Sequence, residues 1–123
     1  MISHVSIGVA DVERSKRFYD AALAPLGYRR VFDGEGYMAY GADAAQFWVA
    51  KSEHAPMADA GPGVHFCFDA PNRSSVDAFH AAALVQGGAD NGRPGLRPEY
   101  HPNYYAAFAV DPDGWRIEAY YGG

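Results

Sequence analysis

The sequence predicts an α+β fold built of two βαβββ modules in one chain of 123 residues. Three observations predict it. The stretch from His4 to Gly27 returns sixty-one residues later without a gap, so that His4 falls on His65, Phe18 on Phe79, Leu23 on Leu84 and Gly27 on Gly88. Each copy opens on a period-two run and continues with helical spacing. Short alternating runs bounded by turn residues follow each helix. A repeat of half the chain length reads as a duplicated unit. The chain is therefore one domain, 1–123, of two modules, 1–60 and 61–123. Apolar strand faces pack on the helices. The opposite faces line the concave side of a curved, cup-shaped mixed sheet, with the helices on its outer face.

In the first strand Val5, Ile7 and Val9 share a face, and His4, Ser6 and Gly8 share the other. The repeat puts Val64, Phe66 and Phe68 against His65, Cys67 and Asp69. Asp11 and Asn72 are residues that cap helices, because a short polar side chain can accept from an otherwise unpaired backbone N–H. The first buried stripe reads Val12, Ser15, Phe18, Ala22 and Leu26; the second reads Val76, Phe79, Ala83 and Leu84. Pro25 with Gly27, and Gly87 with Gly88, end the two helices. Strands are expected at 28–33, 36–41, 46–50, 104–110 and 115–121, with turns at DGEG, GADA and DPDG. A further strand belongs within 89–99, where Gly and Pro hide its bounds.

The formal charge is −5, and neither a basic stripe nor a block of like charges is present, which argues against a nucleic-acid partner. No apolar run approaches a membrane span of roughly 20 residues. The N-terminal stretch lacks the pattern of a secretion signal. Cys67 is the single cysteine, so no internal disulfide forms. A reducing, cytoplasmic setting is the expectation.

Strand parity selects the candidate site. If Ile117 faces the core, Glu118 shares the concave face with His4 and His65. Two imidazoles and a carboxylate are the donors of a facial metal triad with open positions. A single strand histidine is more often hydrogen-bonded or half exposed than a ligand; the equivalent places of these two weigh against that. Gln46, Trp48, Cys67, Arg116 and Tyr120 line the pocket by the same parity. In EYHPNYY, His101 is a candidate general acid or base, and Tyr104 and Tyr105 are candidate hydrogen-bond donors to substrate. The competing reading is a loop pinned by Pro102 with packed tyrosines. His54 and His80 read as structural or exposed.

HVSIGVADVERSKRFYDAALAPLGY, its repeat, HFCFDA and DPDGWRIEAY together resemble the vicinal oxygen chelate superfamily of glyoxalase I, extradiol dioxygenases and bleomycin-resistance proteins. The resemblance covers nearly the whole chain and implies paired βαβββ modules, with ligands in the first and last strand of each. Carried over position by position, these are His4, His65 and Glu118. Glyoxalase I-like members place a glutamate in the last strand of the first module, where this chain has Trp48. The resemblance implies a divalent metal (Fe, Zn, Mn or Ni), a small substrate with adjacent oxygens, and a homodimer. Isomerase, lyase and dioxygenase chemistry all fit it. So does metal-free sequestration of a small molecule.

Overall fold

A computed structural model describes residues 1–54 and 63–123. The expected module boundary at 60/61 lies outside the described residues. The first module runs β1 (Val5–Val9), α1 (Val12–Leu23), a short 3-10 turn (Ala24–Leu26), β2 (Arg29–Gly34), β3 (Tyr37–Gly41) and β4 (Phe47–Lys51). The second runs β5 (His65–Asp69), α2 (Arg73–Val85), β6 (Ala89–Leu96), β7 (Tyr105–Val110) and β8 (Arg116–Tyr121). Each module forms a four-stranded mixed sheet, in the orders β1-β4-β3-β2 and β5-β8-β7-β6. The fold is α+β, in two repeated modules, as the sequence predicts. The two sheets do not close on each other, and β1 and β5 are terminal strands.

Local chemistry sets the elements. Asp11 Oδ1 accepts from the Arg14 N–H at 3.1 Å, and Asn72 Oδ1 from the Ser75 N–H at 2.8 Å. Gly27 and Gly87 sit at φ of 90° and 93° behind the two helical segments, where a side chain would be strained. The strand within 89–99 is Ala89–Leu96. Its register on β7 slips between Asp90 and Gly92 and again between Gly92 and Gly95, which is why no alternation shows in the sequence.

One core joins the modules, and α1 and α2 pack on each other. Phe18 and Phe79, the repeated pair, are fully buried. Phe47 of β4 lies edge-on to Phe68 of β5 at 5.1 Å and beside Tyr19 at 5.1 Å. The helix stripes need one correction: Leu84 is exposed rather than buried, because Ala83 occupies the inner line of α2.

Polar links also bridge the modules. Asp111 takes a hydrogen bond from Tyr19 Oη at 2.6 Å. Asp113 takes one from the Ala10 N–H at 2.8 Å and pairs with Arg14 at 2.9 Å. Trp115 Nε1 donates to the Gly8 carbonyl at 2.8 Å. The DPDG turn therefore grips the start of α1.

His80 is buried and structural: its Nε2 lies 2.9 Å from Asp90 Oδ1, joining α2 to β6. The Gly92 N–H, then His80, hold the Asp90 carboxyl below its usual range. A depressed carboxyl stabilises above its unfolded pKa and loses that contribution as pH falls through the folded one. The stability advantage of wild type over Asp90→Asn should thus shrink as pH falls from about 5 to below about 4. Urea unfolding across that range measures it; an advantage unchanged at low pH would exclude the link.

Candidate functional site

β8 supplies the centre. Its parity turns Ile117 and Ala119 to the core and puts Glu118 on the opposite face. Across that face Cys67, Glu118, Phe108 and Gly92 stand in one row of the register. Glu118 is only 2% exposed, although its face is not covered by a helix. His65 Nε2 lies 3.0 Å from Glu118 Oε1, and Tyr104 Oη donates to Oε2 at 2.5 Å. A buried carboxylate needs such partners, since desolvation penalises its charge.

Tyr104 comes from the turn before β7, and its ring lies against Tyr120 with centroids 4.2 Å apart. His101 Nε2 is 3.0 Å from Tyr120 Oη, on the same side. Burial, then the hydrogen bond to Glu118, push the Tyr104 hydroxyl well above the usual tyrosine range, so it stays protonated at neutral pH. Cys67 keeps part of its surface in solvent. Surrounding atoms nonetheless desolvate its thiol, and together with Glu118 push it up to about 12. A thiol at that value is no nucleophile near neutrality. Arg116 is half-buried, next to His65 in the register.

Tyr105 does not join the site. Adjacent strand residues face opposite ways, and Tyr105 Oη donates to Asp77 on α2 at 2.6 Å, with Arg73 over its ring. Its expected catalytic role is corrected to a link between strand and helix.

His4 lies just before β1, exposed, with Nδ1 2.7 Å from Ser3 Oγ. Among the described residues no group of three His, Cys, Asp or Glu side chains stands close enough to hold a metal. Trp48 pairs in register with Ser6, as Glu118 pairs with Cys67. By that repeat symmetry Trp48 occupies the position of Glu118 in the first module. There it stacks with Tyr37 and lies beside Phe32. Gln46 lines a cavity of about 350 Å³ where the modules meet, together with Val5, Tyr28, His65, Cys67 and Asp69. The first-module residues Tyr28 and Val5 escape a sequence reading, because that reading follows parity within a module and not the packing between modules.

A family model for the Glyoxalase/Bleomycin resistance protein/Dioxygenase superfamily matches residues 1–119. The chain belongs to that superfamily. A glyoxalase/bleomycin resistance protein from Albidiferax ferrireducens T118 is 36% identical over 96% of both chains, with a TM-score of 0.82. The V278E glyoxalase I mutant from Zea mays is 25% identical, with a TM-score of 0.71; the match covers 95% of this chain and 44% of that one. The fosfomycin resistance protein FosX from Listeria monocytogenes, 12% identical with a TM-score of 0.71, shares the fold. No curated protein sequence matches. No helix among the described residues is long and apolar enough to cross a membrane.

Members of the superfamily often use divalent metals. The donor chemistry of this chain fits such an ion in part. An imidazole and a buried carboxylate stand together at 3.0 Å. The third donor, His4, does not meet them within the described residues of one chain.

Proposed function

We propose that this protein is a metal-dependent enzyme acting on a small molecule with adjacent oxygens, working as a homodimer. The observation that carries the reading is the buried Glu118 carboxylate, bonded to His65 and Tyr104 on an otherwise open sheet face. His65 and Glu118 would hold a divalent ion (Fe, Zn, Mn or Ni), with His4 supplied by a second copy. Repeat symmetry supports that assignment, since His4 is the counterpart of His65 and its strand β1 is terminal in its sheet. When bound, the ion supplies Lewis-acid stabilisation of negative charge on paired oxygens. Tyr104 keeps a proton on Oη and fixes the orientation of Glu118. Tyr120, held by His101, forms an adjoining wall. Gln46 and Cys67 line the cavity, and Arg116 lies beside His65 at its edge. Trp48 leaves the site with three protein donors instead of four.

A second reading has its own support. Both Glu118 oxygens already have partners, and Trp48 replaces a carboxylate, as suits a metal-free pocket that sequesters a ligand. Metal analysis of untagged protein separates the two. On the enzyme reading, His4→Ala and His65→Ala each lose the metal while circular dichroism keeps the fold. Mixing the two variant chains should then restore metal to one site in each mixed dimer, because each such dimer pairs one intact His4 with one intact His65. No stoichiometric metal in wild type after supplementation favours the sequestering reading. Metal retained in both variants removes the histidines from the site.

A further inference from the structure

Arg97, unlike Arg14 and Arg30, takes part in no ion pair: among the described residues no carboxylate lies within ion-pairing distance of it. Its guanidinium is nevertheless held in place. Nη2 donates to the Arg93 carbonyl at 2.6 Å, and the group lies over the Phe108 ring, 5.5 Å from its centroid. Two glycines of β6 keep the space for it. A Cβ on Gly92 would come within 2.9 Å of Phe108 and 3.4 Å of Arg97 Nη2, and one on Gly95 within 3.2 Å of Nη1. Phe108 is also the register partner of Glu118, and its ring centroid lies 6.4 Å from that of His65. The same ring therefore lies near both the cation and the His65–Glu118 pair.

A planar guanidinium presents paired N–H donors that match the oxygens of a carboxylate or phosphate. The molecule carries a net charge of −5, and Glu118 adds a negative charge at the site itself, so an anion needs a local cation to approach. We propose that Arg97 binds an oxyanion group, carboxylate or phosphate, of the small molecule that reacts at His65 and Glu118. This assigns the substrate class as an acid bearing adjacent oxygens, and it rests on the reading of the site given above.

The probes are inorganic phosphate and malonate, titrated at constant ionic strength into chelator-treated protein. Backbone amide shifts are followed by NMR. Both or one of the anions should shift the amides of Gly92, Gly95 and Phe108 saturably at millimolar concentration; which of them does so identifies phosphate or carboxylate. Arg97→Gln should weaken that binding at least about tenfold, and Arg97→Lys should fall between, keeping the charge without the fork. Arg93→Gln should stay within about twofold, since only its backbone carbonyl is used. The amide spectra themselves report whether each variant is folded. Absence of saturable shifts with either anion, shifts that map elsewhere, or saturation unchanged in Arg97→Gln would overturn the proposal. Metal is absent throughout, so failure of the metal reading leaves these expected shifts in place, and their failure leaves metal binding untouched.

Discussion

Asp111→Ala is expected to lower the unfolding free energy by about 2–4 kcal/mol. Asp111 is 3% exposed and accepts three hydrogen bonds: from Tyr19 Oη at 2.6 Å, the Asp113 N–H at 2.9 Å and the Trp115 N–H at 2.8 Å. Bonds to a charged acceptor contribute about 1.5–3 kcal/mol each before the cost of burying the charge is subtracted. That cost is present here, because burial raises the Asp111 carboxyl above its usual range despite the three donors. Truncation leaves Tyr19 with a buried hydroxyl that has lost its acceptor, at the junction of α1 with the second module. Asp111→Asn keeps an acceptor of the same shape and should cost about 1 kcal/mol. The pH dependence has a definite sign. A carboxyl raised in the folded state stabilises fully below its unfolded pKa and loses that contribution as pH rises through the folded value. The advantage of wild type over Asp111→Asn should therefore be larger near pH 4 than at pH 7. Urea unfolding at both pH values checks this. A cost below about 1 kcal/mol for the alanine variant would mean that the two modules do not depend on this contact.

That contact was not legible in the sequence, and the reason is physical. DPDG reads as a turn, which it is, because turn chemistry is local. Nothing local says that its two aspartates reach Tyr19 and Arg14, about a hundred positions earlier in the chain. The parts governed by local rules were legible. Asp11 and Asn72 cap the helices, and strand parity puts Glu118 and Trp48 at equivalent places in the register. β6 was not legible, because its irregular pairing abolishes the period of two. Leu84 misled because it continues the helical spacing of Val76, Phe79 and Ala83, whereas the fold buries Ala83 and exposes Leu84. EYHPNYY showed a dense set of polar aromatics but not their partners. Tyr104 turns to Glu118, and its neighbour Tyr105 turns to α2, by the alternation that parity demands.

Glu118→Gln is expected to lower divalent-metal affinity by more than about 100-fold, while the unfolding free energy of metal-free protein moves by less than about 1 kcal/mol. Even residues that only orient a ligand change metal affinity about 10–100-fold, so on the proposed metal-binding role of Glu118 the loss of its charge should exceed that range. The small effect on stability follows from the local geometry. A glutamine has nearly the shape of the glutamate. Its carbonyl oxygen can accept from Tyr104, and its amide can donate to an unprotonated His65 Nε2, so both 2.5 Å and 3.0 Å contacts keep a partner. No arginine or lysine pairs with Glu118 among the described residues. The wild-type carboxylate thus bears a desolvation cost that a neutral amide avoids, which offsets the weaker hydrogen bonds. A residue retained at a cost in stability is the expected mark of a site kept for its chemistry. Tyr104→Phe serves as the comparison: it removes one hydrogen bond that orients Glu118 and leaves the charge, so it should lower metal affinity by about 10–100-fold, less than Glu118→Gln does. The measurements are metal titration by calorimetry and urea unfolding in chelator. If Glu118→Gln binds metal as wild type does, Glu118 is not a ligand. If instead it destabilises the metal-free protein by more than about 3 kcal/mol and metal binding is unaffected, the His65–Glu118–Tyr104 cluster is part of the framework, and the reactive centre lies elsewhere.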